Sequence, residues 1–200
     1  MSSGRVPFLG LTGGLGAGKS EALRALSELG AATLSSDAVV HELLATDELR
    51  DAIVERLGPE MAPGGEVDRS KVAERVFDDP EQREWLEGLL WPLVGERIAE
   101  WRALQDAAEP APRVAVVEVP LLFEAGIEAL FDHTLAVLAN ESVREERAAA
   151  RGHAALASRA GRQLSQGQKA QRADFVVRND GTLDELKHTL SRVLANIEGQ

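Results

Sequence analysis

The chain is predicted to be an α/β protein: a five-stranded parallel sheet flanked by helices, with a helical insert and a second helical segment attached to the core. Three observations predict this. Short apolar runs rich in β-branched residues alternate with segments of helical period, the pattern of βαβ units and a parallel sheet. The first run passes into a helix through a glycine-rich turn. After about residue 38 the strand-like runs give way for some 70 residues to helix formers.

The elements follow in order. Residues 6–12 (VPFLGLT) form a short apolar run ending in glycines, which suits a buried strand. Residues 19–29 (KSEALRALSEL) carry Leu at helical spacing on one face and charges on the other, and Gly30 is a natural stop. Residues 31–34 (AATL) read as a second strand, with Ser35, Ser36 and Asp37 at its carboxyl end. The insert, about 38–111, is broken at Gly58-Pro59, Pro63-Gly64-Gly65 and Asp79-Pro80, which leaves three or four helices. The core resumes after Glu109-Pro110-Ala111-Pro112 with residues 114–119 (VAVVEV), a run continuous enough to be buried on both faces. Residues 134–138 (TLAVL) and 175–177 (FVV) supply the fourth and fifth strands. Between them, about 140–172 is helical in pattern and dense in Arg. The last helix, 182–197, has Thr182 as its expected N-cap and Glu185 three residues later. The core is thus 6–37, 112–139 and 173–200 of a single domain.

Composition removes several classes of function. The 200 residues are 44% hydrophobic and 28% charged, enough to bury a real core. A net charge of -11 argues against nucleic acid or an anionic membrane as a general partner. Cysteine is absent, which excludes a disulfide framework, a thiol nucleophile and a Cys-based zinc site. No apolar run approaches the roughly 20 residues needed to span a bilayer. The apolar stretch near the start is too short and too broken by glycine for a signal peptide, so a cytoplasmic location is expected. His41, His133, His153 and His188 have no metal-ligand spacing and read as structural or surface residues.

The central motif is Gly13, Gly14, Leu15, Gly16, Ala17, Gly18, Lys19 and Ser20, which satisfies the phosphate-loop pattern G-x-x-x-x-G-K-[ST]. Glycines let successive N–H groups point inward where a Cβ would block a phosphate, and the helix that follows presents its positive end. In such a loop Lys19 reaches the β- and γ-phosphates of ATP, the Ser20 hydroxyl ligates Mg²⁺, and N–H groups through Glu21 extend the cradle. An accidental match in a chain of this length has odds of about one in a hundred. The GTPase string N-K-x-D is missing, since Asn179-Asp180-Gly181 lacks the lysine. A small chain with an insert after strand two and an Arg-rich segment after strand four fits a kinase of small molecules. There the insert binds the acceptor and the Arg-rich segment acts as a lid that excludes water.

Four strings together resemble one family. GLTGGLGAGKS, Asp37, VPLLFE (residues 119–124) and ADFVVRNDG stand in the order and spacing of dephospho-CoA kinases, and the likeness runs from Phe8 through Gly181 into the last helix. The resemblance implies a P-loop kinase fold and transfer of the ATP γ-phosphoryl to the ribose 3′-hydroxyl of dephospho-CoA, with Asp37 as the catalytic carboxylate. The alternative for Asp37 is that it merely N-caps the next helix. Arg147 and Arg151, four residues apart on one helical face, are candidates to clamp the transferring phosphoryl, although Glu145 and Glu146 alternate with them. Arg159 and Gln163 also sit at family-like spacing. Asn179 to Gly181 resembles the loop beside the adenine, which would bring Asn179 and Gly181 into the nucleotide site, or is equally a simple turn. Glu118, at the end of the strongest strand, takes the position of an acidic residue near Mg²⁺, or is a carboxylate bonded to loop amides.

This sequence departs from the family at Trp91, where His is usual, at Glu21 after the loop, and at Ser35-Ser36 before Asp37. Trp91 either replaces the His by stacking or through its single N–H donor, or is a core aromatic of the insert. The remaining alternatives are a kinase for another small acceptor, such as a nucleoside monophosphate or a sugar, and a nucleotide-binding relative without catalysis.

Overall fold

The computed structural model describes residues 5–77, 79–150 and 163–199. Five strands, β1 (Phe8–Gly13), β2 (Ala32–Ser35), β3 (Ala115–Glu118), β4 (His133–Leu138) and β5 (Phe175–Arg178), form one sheet in the order β2-β3-β1-β4-β5. Every neighbouring pair is parallel. β1 and β3 are buried along their whole length, which explains their unbroken apolar character. In register, Leu11 stands beside Glu118 and Glu118 beside Ser35, so three strands reach the carboxyl edge together.

The helices are α1 (Lys19–Glu28), α2 (Ser36–Leu44), α3 (Asp47–Leu57), α4 (Arg69–Phe77), α5 (Pro80–Asp106), α6 (Glu141–Ala150), α7 (Gln166–Arg172) and α8 (Leu183–Glu198). Two compact units emerge. One contains the strands together with the residues up to Ser35 and from Arg102 onward; the other is the helical stretch Ser36–Trp101. α5 is continuous across that division and passes through Pro92.

Local chemistry sets the boundaries. α1 ends as its glycine requires: Gly30 has φ 91°, Gly30 N donates to Ser27 O and Ala31 N to Leu26 O, the paired bonds of a Schellman turn. α8 begins with the capping box read from Thr182 and Glu185, each bonding the other's backbone N–H. Its buried stripe of Leu186, Leu190, Val193, Leu194 and Ile197 packs with Leu26 of α1 and with Leu9, Val116 and Val137 of the sheet in one apolar cluster. Asp174 fixes β5 beside β4, because one carboxylate oxygen accepts from Thr134 N and Thr134 Oγ1, each at 2.8 Å. Arg113 clamps α8 by a two-pronged bond to Glu198 (2.6 and 2.7 Å) and holds the end of α1 through Leu29 O.

Two outcomes are expected. Leu190→Ala, at a position with no exposure, should cost about 2–5 kcal/mol in urea unfolding without changing the far-UV spectrum. Hydrogen bonds from Arg113 hold the Glu198 carboxyl below its ordinary value. A depressed carboxylate stabilises the fold above its unfolded pKa and loses that contribution as pH falls through its folded pKa. Arg113→Gln should therefore lower stability by about 0.5–1 kcal/mol at neutral pH, the small value fitting a solvent-screened pair. The gap to the parent should narrow in acid, as read from melting temperatures across the acidic range.

Candidate active site

β1 brings the chain to the carboxyl edge of the sheet, and the loop from Gly14 to Gly18 turns it into α1. Gly16 and Gly18 lie at φ 73° and 89°. Gly18 is the N-cap of α1 and no side chain caps that helix. A Cβ at Gly18 would strike Asn179 Nδ2, and one at Gly16 would come within 2.7 Å of Arg144 O. Both the conformation and the close approach therefore require glycine.

The contacts that brace this loop go to its carbonyl oxygens. Ala17 N and Lys19 Nζ both donate to Gly14 O, each at 3.2 Å. Arg144 Nε donates to Leu15 O at 2.8 Å, and Asn179 Nδ2 to Ala17 O at 3.1 Å. The uncapped start of α1 and a loop held from its carbonyl side suit an anion that approaches from the N–H side.

Asn179 is buried and follows β5 directly, with its N–H bonded to Leu138 O. Its amide also lies 3.4 Å from the Glu21 carboxylate. Arg147 Nη1 donates to Asn179 O at 3.1 Å, and Gly181 precedes the Thr182 cap of α8. The structure thus gathers Gly13 to Glu21, Arg147 and Asn179 in one place. Glu118 is buried at the end of β3, beside Leu11 of β1. Arg151 and Arg159 lie outside the described residues. Asp37 is in the first turn of α2, two residues past the end of β2, inside the helix and not its N-cap. Trp91 is 51% exposed, which overturns the core-aromatic reading of that position.

Sequence reasoning missed a second set of residues. Lys169 of α7 has no exposure, and its ammonium donates to Thr12 Oγ1 (3.3 Å), Pro120 O (2.8 Å) and the Glu124 carboxylate. Thr12 Oγ1 in turn donates to Pro120 O at 3.1 Å, and Leu164 N to Glu124 at 2.7 Å. Thr12 immediately precedes the phosphate loop, so this buried pair ties β1, the segment after β3 and the approach to α7 together at the edge of the site. Nearby, the Gln166 amide bonds both N–H and C=O of Ala139 beyond β4.

The sequence profile described as dephospho-CoA kinase matches residues 7–185. The chain belongs to the dephospho-CoA kinase family. A curated dephospho-CoA kinase of Protochlamydia amoebophila is 37% identical over 193 residues, covering 94% of this chain and 95% of that protein. A solved structure from Thermus thermophilus matches at TM-score 0.81 and 33% identity, covering 96% of this chain and 98% of that one. The dephospho-CoA kinase of Campylobacter jejuni, at 22% identity, TM-score 0.64 and coverage of 96% and 98%, shares the fold. The expected family and P-loop kinase fold are thereby both confirmed. No helix among the described residues is long and apolar enough to cross a membrane.

In this dephospho-CoA kinase relative, two of the strings that carried the resemblance prove to be braces: Glu124 belongs to the first and Asn179 to the second. The signal for Lys169 was its place in a short helix otherwise made of small and polar residues, which gave no hint of burial. Lys169→Met, which strands the Glu124 carboxylate, should destabilise by about 3–5 kcal/mol, and adding Glu124→Leu should recover most of that loss. Urea unfolding of both variants checks it; a single variant as stable as the parent would refute the coupling.

Proposed function

We propose that the protein transfers the γ-phosphoryl of ATP to the ribose 3′-hydroxyl of dephospho-CoA, giving coenzyme A and ADP. One observation carries this reading. Two of the strings by which the chain resembles dephospho-CoA kinases supply braces at the phosphate loop: Asn179 bonds Ala17 O within it, and Glu124 holds Lys169, which bonds Thr12 just before it. Full-length kinship to curated dephospho-CoA kinases supports the same acceptor.

In this reading the loop N–H groups and the start of α1 hold the β- and γ-phosphates, with Lys19 on the γ-phosphate. Asp37 accepts the proton of the 3′-hydroxyl as its oxygen bonds to the γ-phosphorus and the bond to the bridging oxygen of ADP breaks. Arg147 and Arg151 spread the charge on the transferring group, and Asn179 and Gly181 flank the adenine. The Ser20 hydroxyl and the Glu118 carboxylate are oxygen donors of the kind Mg²⁺ takes alongside substrate phosphates. When bound there, Mg²⁺ neutralises charge on the phosphate oxygens. The family's chemistry does not require a membrane or a nucleic acid, and the acidic net charge suits a cytoplasmic enzyme of small molecules.

The test is incubation with Mg-ATP and dephospho-CoA, following ADP and coenzyme A by mass, beside parallel reactions with AMP, CMP and adenosine. Coenzyme A should form well above every other product. Another acceptor phosphorylated in its place would sink the assignment. Asp37→Asn should lower kcat about 10²–10⁴-fold while ATP affinity stays unchanged; a near-normal rate would remove Asp37 as the base.

A further inference from the structure

We infer that His41 and Arg69 form a binding site for the diphosphate of the acceptor, one helical turn from Asp37; the inference rests on the function proposed above. Both residues line a cavity of about 310 Å³ within the helical unit, together with Leu44, Arg50, Glu66 and Val67. Arg69 opens α4 and reaches the imidazole of α2, with Nη1 3.2 Å from His41 Nδ1. A guanidinium can only donate, so Nδ1 accepts and the Nε2–H of His41 remains a donor. The cavity wall thus carries a guanidinium fork and a ring N–H side by side, the donor set that suits phosphate oxygens.

The surrounding charges leave this pair as the cationic part of the wall. Arg50 is engaged by Asp47 at 2.6 Å and by Asp51 at 2.8 Å. Asp68, next to Arg69, caps α4 by accepting from Ser70 N and Lys71 N. Glu66 is the carboxylate among the lining residues. Neither Arg69 nor His41 pairs with a carboxylate among the described residues.

Position relates the pair to the chemistry. Asp37 and His41 are four residues apart on α2, hence on one face and about 6 Å apart along the axis. The 3′-hydroxyl and the 5′-phosphate of a nucleotide are separated by a span of that order. An acceptor with its 3′-hydroxyl at Asp37 therefore presents its 5′-diphosphate to His41 and Arg69. Leu44 and Val67 give the same cavity an apolar wall beyond the phosphates.

The experiment compares the parent with Arg69→Gln and His41→Gln, both at exposed positions where folding is confirmed by melting temperature. Dephospho-CoA binding is measured calorimetrically without ATP, with inorganic pyrophosphate as competitor, and KM and kcat are measured for both substrates. Each variant should raise the dephospho-CoA Kd and KM about tenfold, leave the ATP KM unchanged and weaken competition by pyrophosphate. Turnover of adenosine, which lacks the diphosphate, should not respond to either substitution. A parent that neither binds nor phosphorylates dephospho-CoA would overturn the acceptor assignment, and this site with it. A parent that does both, beside variants with unchanged dephospho-CoA affinity, would overturn the site alone.

Discussion

A loop that offers most of its N–H groups to an anion has few of them left to hold itself in place. The phosphate loop meets this constraint by being anchored through its carbonyl oxygens, to Lys19, Arg144 and Asn179. Much of the strand-bearing unit serves that arrangement. β5 ends where it does to deliver Asn179, α6 is placed so that Arg144 reaches Leu15, and the buried Lys169 sets the strand that feeds the loop. The burial of Lys169 would be costly if its ammonium were not shared among a carboxylate, a carbonyl and a hydroxyl. The same satisfaction makes the node intolerant of losing any one partner.

The parts of the fold that were legible in advance are those decided by local chemistry. Glycine at position 30 cannot be mistaken for anything but a helix stop, and the Thr182–Glu185 box announces itself by spacing alone. The strands surfaced because burial on both faces forces continuous apolar runs, as in residues 114–119. The phosphate loop was legible for the same reason: its glycines answer a requirement of a few consecutive residues.

What stayed hidden depends on partners far along the chain. Lys169 looks like any solvated lysine of a short polar helix, and partners 45 to 157 positions away, Glu124, Pro120 and Thr12, make it a core residue. Trp91 looked equally suited to a core, yet it emerges half-exposed, because a long helix offers an outward face that composition does not mark. α5 runs on through Pro92 as one helix. Asn179 was legible as part of a motif, but its service as a strut beneath the loop depends on a contact spanning 162 positions.

That span bears on biosynthesis. A ribosome releases Ala17 of the glycine loop 162 positions before the asparagine that braces it, so the nascent chain carries its nucleotide motif long before it has that brace. Long-range closures of this kind are slow steps of folding, because the loop-closure entropy is lost before the contact is gained. The brace beneath Ala17 is thus withheld until the residue after β5 has been made.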